Sequence, residues 1–411
     1  MIPVGQTILE DKPCICIPFT SNNNFHNAES DIVGLYLYFT DGVTKFINFT
    51  HPDAREDDIS LVDIKLHPNS LVLNKKGMLY HGFSQGIDLN SYLHYYIHDH
   101  VNIQEFYTNV MENFYSRYYN SKKLTKIIPL SKLIEFAENI ILFTLPYYKP
   151  EKISQECIDY CEDFTNTFKF IESNEITFGD EMKKQNYMWY TATSRPSNSW
   201  NNFNFSALNK NDGTRNKIHS RYENGKIVQF DYDAFHIKLL AKILDYKFTK
   251  HPYDEIKEEL GLDIPYDEVK SRVFQNIYGT ITDQFLQHPF FQRVQAMIDE
   301  LYQEYIDKGY TESYFYHKRF RDIEDPTPNK VFNYFLQSLE TEYNIRKLKI
   351  VLPLLSSQKT IFCMYLYDAF VFDVPSSETE LVPQLKRAFE TDEMTTKCSM
   401  GDDFGSIKPY L

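Results

Sequence analysis

Apolar positions along the chain change period several times, and the changes mark its elements. In the first hundred residues the pattern is α/β. PCICIPF (13–19) is a strand candidate, and DIVGLYLYFTDGVTKFINFT (31–50) reads as a hairpin turning at Asp41-Gly42. From 103 to 145 the period is mostly helical, with PLSKLIEFAENIILF (129–143) the clearest case. Residues 147–185 are charged and mixed and read as a short helical connector. From about 186 onward strands and helices alternate. HPYDEIKEELG (251–261), YDEVKSRVFQNIYG (266–279), HPFFQRVQAMIDELYQEYIDKG (288–309) and PNKVFNYFLQSLETEYNIRK (328–347) are helices, three of them followed by glycine.

Two stretches break this regularity with acids. In IVQFDYDAFHIKLLAKIL (227–244) an apolar run ends at Phe230, and Asp231 and Asp233 follow. Ile237, Leu240, Ala241 and Leu244 then recur at helical spacing. Either acid could simply cap that helix. In YLYDAFVFDVP (365–375) a lone carboxylate, Asp368, sits between two β-forming runs, at the tip of a predicted hairpin.

Composition narrows the picture only a little. A chain of 411 residues can hold two or three domains. The 16% aromatic share is high, but Tyr, Phe, Asn, Lys and Ile all have AT-rich codons, so genome bias alone could produce it. No apolar run approaches the ~20 residues of a membrane span, and the N-terminus lacks a secretory pattern, so a cytoplasmic protein is expected. Six cysteines form no zinc spacing and read as reduced thiols. A net charge of −14 argues against non-specific coating of nucleic acid. It leaves room for locally basic segments such as NKNDGTRNKIHSR (209–221), which contains Arg215, and YHKRFRDI (316–323).

Chemistry enters if the two acidic stretches are neighbouring strands. Asp231 and Asp368 would then converge, and paired carboxylates suit two Mg2+ ions, which stabilise both oxygens of an in-line phosphoryl displacement. Lys270, Phe274 and Tyr278 stand four residues apart, so they share one face of the 266–279 helix. An ammonium, an aromatic plane and a phenol in a row could meet a triphosphate, a base and a template strand. The alternative is an ordinary amphipathic helix with core aromatics and a solvated lysine.

Taken jointly, these segments resemble the family A, polymerase I-like DNA polymerases, especially phage members. FDYDAFHIKLLA is similar to motif A (D-Y-S-Q-I-E-L-R-x-x-A), with Asp231 at the metal-binding acid. KSRVFQNIYG is similar to motif B (K-x3-F-G-x2-Y-G), carrying Lys270, Phe274, Tyr278 and Gly279. LYDAFVFDVP is similar to motif C (V-H-D-E-x-V-x-E-V), with Asp368 at its acid. TATSRPSNS resembles the primer-contacting T-G-R-x-S-S with Arg195. NFSALNKNDGTRNKI resembles the stretch that follows it, with Arg215. GYTESYFYHKRFRDI and the tail MGDDFGSIKPYL also resemble family segments. Asn333 and Gln337 match the N-x3-Q pair that reads the minor groove. The resemblance spans about 186–411.

It implies an α+β fold: a right-hand palm and fingers with a shortened thumb, preceded by an α/β exonuclease-like (RNase H-like) domain. The implied domains are 1–146 exonuclease-like, 147–185 thumb or connector, and 186–411 palm and fingers, with fingers near 245–310. The implied activity is dNTP addition to a primer 3′-OH, with two Mg2+ (or Mn2+) held by Asp231, Asp368 and the Tyr232 carbonyl. Lys270, Phe274, Tyr278 and His236 would bind the nucleotide. Arg195, Arg215, Asn333 and Gln337 would bind primer-template DNA. A catalytically weak relative acting as a DNA-binding accessory subunit, and an RNA-synthesising variant, remain open alternatives.

Several positions depart from the family pattern. Motif C's glutamate is Ala369 and its histidine Tyr367; Tyr266 replaces the arginine before Lys270; His236 replaces the sugar-excluding glutamate; Asp233 replaces a small polar residue. His251 falls within a residue or so of the phosphate-contacting histidine. In the N-terminal part the exonuclease acids would fall at Pro18, Thr20, Met78, Phe136 and Ile140, so no proofreading is expected, and Asp88 reads as structural. A reduced thumb implies low processivity or a partner that supplies a clamp.

Overall fold

The computed structural model describes all residues except 1–7, 10, 22–30, 58, 98–127, 199–203 and 210–211. The helical pattern expected over 103–127 lies outside the described residues. The chain divides into two compact units, Met1–Lys169 and Phe170–Leu411.

In the first unit β1 (Cys14–Thr20) is buried along its whole length. It pairs antiparallel with β2 (Ile32–Phe39), which pairs antiparallel with β3 (Thr44–Asn48). The β2–β3 turn closes as expected: Gly42 N–H donates to Phe39 O at 2.9 Å, and Gly42 takes the left-handed conformation that glycine tolerates best (φ 85°). On the other side of β1 run β4 (Leu71–Val72) and β5 (Ile87–Asp88), both parallel, giving the order β3-β2-β1-β4-β5. Because β4 pairs with β1 at Ile15 and Cys16, Pro18 has no second strand neighbour among the described residues and its missing N–H is tolerated.

Three longer helices are found among the described residues from 89 to 172. Asp88 caps α1 (Leu89–Tyr96), accepting from Ser91 N–H at 2.9 Å, and it also accepts from Lys75 N–H. α2 (Leu130–Thr144) buries Leu133, Phe136, Ala137, Ile140, Ile141 and Thr144, the stripe its period predicts. The unit boundary falls inside α3 (Gln155–Glu172). The segment read as a helical connector therefore holds a full 18-residue helix. It continues into a hairpin of β6 (Glu175–Phe178) and β7 (Glu181–Lys184), which its charged, short pattern did not reveal.

The second unit is built on one antiparallel sheet. β8 (Lys226–Tyr232) is the centre, followed by α4 (Phe235–Ile243), α5 (Pro252–Glu259), α6 (Tyr266–Tyr278) and α7 (Pro289–Lys308). A two-residue hairpin, β9 (Thr311–Glu312) with β10 (Arg319–Phe320), precedes the 24-residue α8 (Pro328–Val351). Then come β11 (Ile361–Leu366), β12 (Ala369–Val374), α9 (Val382–Phe389), β13 (Thr396–Gly401) and β14 (Lys408–Pro409). The sheet order is β11-β12-β8-β13-β14.

α8 does not show the one-sided pattern of a surface helix. Residues 338–345 are buried without a break, including Ser338, Glu340, Thr341, Glu342 and Asn344. Buried polar groups of this kind are kept only where partners satisfy them. The six cysteines are buried thiols. Among the described residues no helix is long and apolar enough to cross a membrane.

Candidate functional site

Sheet register brings the two acids together. β8 runs antiparallel to β12 with Asp231 opposite Ala369, and Tyr232 N–H donates to the carbonyl of Asp368 at 2.9 Å. Asp231 is therefore the penultimate residue of a strand and not a helix cap. The cap position of α4 is Ala234, whose side chain makes no capping bond, so the simple capping explanation fails for both acids.

A cavity of about 250 Å³ opens at this end of the sheet. Asp231, Tyr232, His236, Lys270, Phe274, Asp368 and Arg215 all line it, seven of the eleven residues singled out from sequence. Gln229, Ser206, Tyr253 and Phe404 line it as well, none of them singled out from the sequence. Gln229 Nε2 donates to Asp231 Oδ2 at 3.3 Å. Asp368 reaches the cavity, yet desolvation by its surroundings and the nearby charge of Glu340 raise its pKa. Two carboxylates, one of them poorly compensated by protein cations, form an all-oxygen donor pair that fits Mg2+.

α6 supplies the opposite wall. Val269, Val273 and Ile277 are its buried stripe, so Lys270, Phe274 and Tyr278 fall on the adjacent face. Phe274 and Tyr278 are half-buried and stacked, with centroids 6.2 Å apart and planes 5° from parallel. The core of this helix is thus aliphatic, and its aromatic ladder faces the site. At its end Gly279 N–H donates to Gln275 O, and a Cβ there would lie 2.7 Å from that same oxygen, which excludes other residues without a shift.

α8 lies behind the site as a polar rail. Asn333 Nδ2 donates to Tyr278 O at 3.1 Å, and Gln337 Oε1 accepts from Thr193 Oγ1 at 3.0 Å. Glu340, fully buried, places Oε2 3.0 Å from His236 Nε2 and Oε1 3.6 Å from Arg195 Nη2. Asn344 Nδ2 donates to Tyr367 O at 2.7 Å, holding the turn that presents Asp368. Asn333 and Gln337, expected at DNA, are thus already engaged with protein groups through one end of each amide. Arg195 stacks on Tyr367 at 3.9 Å, while Arg215 donates to Leu208 O and lies over Phe404 at 4.8 Å. Sequence reasoning missed Glu340, although its spacing from Asn333 and Gln337 places all three on one helical face.

Three turns beside these residues carry strain. Ser194 (φ 60°), Ala234 (φ 50°) and Tyr367 (φ 66°) occupy the left-handed region, next to Arg195, Asp233 and Asp368 respectively. Non-glycine residues persist there only when the surroundings hold them, and such strain concentrates at functional sites.

Beside the cavity, Asp233 gathers the local cations. It accepts from His251 Nε2 at 2.6 Å, from Lys397 Nζ at 2.6 Å and from Lys238 Nζ at 3.3 Å. Burial opposes its charge, but these partners outweigh burial and hold its pKa at about 2. Tyr266 Oη lies 3.4 Å from His251 Nδ1.

Among the described residues one further group has metal-like spacing: Glu255, Glu259 and His288. It does not suit a metal. His288 Nδ1 accepts from Phe290 N–H, so the proton of the neutral ring sits on Nε2, 3.3 Å from Glu259 Oε2. Glu255 Oε2 is already taken by Thr249 and Lys250.

No family model and no curated protein matches the chain. Among solved structures it is similar to the POL domain of Pol1 from M. smegmatis in complex with DNA primer-template and dNTP. The likeness has a TM-score of 0.60 at 11% identity and covers 96% of this chain and 96% of that chain. At that identity it establishes the fold. The α+β architecture described above is a polymerase I-like fold.

Proposed function

We propose that the chain is a family A-type, template-directed DNA polymerase that adds dNTPs to a primer 3′-OH and lacks proofreading. The observation that carries this reading is the convergence of Asp231 and Asp368, from antiparallel neighbours, on a cavity also lined by Lys270 and Phe274. Asp231, Asp368 and the Tyr232 carbonyl would hold two Mg2+ ions, with Mn2+ as a substitute. When bound, the ions supply charge stabilisation to both oxygens of an in-line phosphoryl transfer. Lys270 neutralises phosphate charge, the Phe274–Tyr278 face packs the nascent pair, and Arg195 and Arg215 meet the DNA backbone. Positioning and electrostatics account for most of such catalysis.

In this reading the second unit holds palm and fingers, and the first is an RNase H-like exonuclease relic. Its support is the strand order β3-β2-β1-β4-β5, with three antiparallel strands followed by two parallel ones. The positions where catalytic acids would stand are apolar and buried at Met78, Phe136 and Ile140. With α3 and the β6–β7 hairpin as the thumb elements among the described residues of 147–185, we further infer low processivity unless a partner protein supplies a clamp, and a cytoplasmic location.

Primer extension with Mg2+ or Mn2+, run beside Asp231→Ala, tests the reading. Wild type should extend and the variant should not. Equal signal from both would overturn the enzyme. A 3′-labelled primer incubated without dNTPs should stay intact. One observation favours the second reading, a weak or inactive DNA-binding relative. At the edge of the site His251, Lys238 and Lys397 are all tied to Asp233, which leaves Lys270 and Arg215 as the Lys and Arg side chains lining the cavity. DNA binding without extension by wild type would establish that alternative.

A further inference from the structure

Resting on the polymerase reading, we propose that Glu340 is a positioning residue that sets discrimination between deoxyribo- and ribonucleotides. It does so by holding the His236 ring as the wall against which the nucleotide sugar packs.

The argument starts from burial. Glu340 has no exposed surface, sits mid-helix in α8 and does not line the cavity. A buried carboxylate costs several kcal/mol unless partnered. Its partners are both site residues: Oε2 faces His236 Nε2 at 3.0 Å and Oε1 faces Arg195 Nη2 at 3.6 Å. Oε1 makes no hydrogen bond among the described residues, so the hydrogen bond that Glu340 makes there is the one to His236, with Arg195 as an ion-pair partner. The same Nε2 lies 3.1 Å from Tyr278 Oη. The imidazole is thus held from two sides, by a carboxylate on α8 and a phenol on α6, while its own backbone is on α4.

The position of that ring gives the consequence. A nucleoside triphosphate is ordered as phosphates, sugar, base. The acids and Lys270 mark the phosphate end, and the stacked Phe274 and Tyr278 mark the base end. His236 is edge-on to both rings at centroid distances of 6.0 and 5.6 Å and lines the same cavity as the acids and Lys270. The sugar therefore packs against the imidazole, and whether a 2′-hydroxyl fits depends on how rigidly the ring is held. Glu340 supplies that rigidity without touching the nucleotide.

The test compares dATP with ATP incorporation, as kcat and KM separately, in wild type, Glu340→Gln, Glu340→Ala, His236→Ala and the His236→Ala/Glu340→Ala double variant. Folding is checked by circular dichroism. Glu340→Ala should reduce the dATP/ATP ratio about tenfold or more, chiefly through KM, because a displaced wall misplaces the sugar. Glu340→Gln keeps an acceptor for Nε2–H and should retain most of the ratio. The double variant should be no worse than His236→Ala, since Glu340 acts through that ring. A folded Glu340→Ala with an unchanged ratio overturns the inference, and so do additive losses in the double variant. If Glu340→Ala does not fold, Glu340→Gln against His236→Ala decides: a Gln variant as defective as His236→Ala overturns the inference. Failure of the polymerase reading shows separately, as absence of extension by wild type. In that case calorimetric binding of dATP and ATP replaces the kinetics, and equal affinity of wild type for the two overturns the inference.

Discussion

The two units treat comparable positions in opposite ways. In the first, the sheet and helix positions that could hold acids are filled by Met78, Phe136 and Ile140, each at 1% exposure or less, packed as core. In the second, the ends of β8 and the β11–β12 turn keep Asp231 and Asp368 open to a cavity, and strained turns and a buried polar helix hold them there. Apolar residues at those sites add to the stability of the unit. A working site survives only while its surroundings offset the cost of clustered charge and backbone strain. On the proposed function, substitutions in the two units should therefore act differently, on stability in the first and on activity in the second.

The sharpest way to break the contrast is to remove a carboxylate. Asp231→Ala or Asp368→Ala should lower primer extension by more than about 100-fold, beyond the loss typical of residues one step removed from a metal. Thermal stability should change little. In the first unit the opposite holds: Phe136→Ala should destabilise that unit by about 3–5 kcal/mol, read by chemical denaturation. Lys270→Ala, next in size, should cost roughly 10–100-fold in kcat/KM for dNTP if, as proposed, its charge faces the developing phosphate charge.

A smaller effect appears in acid. Asp233 is held at about 2 against an ordinary value of 3.8. Its folded-state pKa is depressed, so the stabilisation is fully present above about pH 4 and is lost as pH falls through 2. Asp233→Asn should flatten the stability curve in that window, and an unchanged curve would mean its cation partners contribute nothing. The smallest expected effect is at Ala234. Glycine relieves the left-handed strain at φ 50°, and Ala234→Gly should raise stability by up to about 1 kcal/mol in thermal melts.

Much of this is legible in the chain itself. The helices over 252–259, 266–278, 289–308 and 328–351 follow from apolar period and terminal Pro and Gly, because those signals act within a few residues. The β11–β12 hairpin around Asp368 was equally local. Less visible was the β6–β7 hairpin, whose EITF and EMKK strands have too few apolar positions to show a period of two. Glu340 was hidden for another reason: a glutamate mid-helix normally reads as solvated, and only the elements packed around α8 bury it.

By itself the sequence determined the longer helices and the hairpins around Asp41-Gly42 and Asp368, and it marked Asp231, Asp368 and Lys270 as a set worth joining. Tertiary structure alone decided that β8 and β12 are neighbours in the register that pairs Asp231 with Ala369. It also decided that Asn333 and Gln337 spend part of their hydrogen bonding on protein, and that the partner of His236 comes from α8. Strand pairing and burial depend on contacts between residues up to a hundred or more positions apart. Such contacts leave no period in the chain, so they become visible only when it is folded.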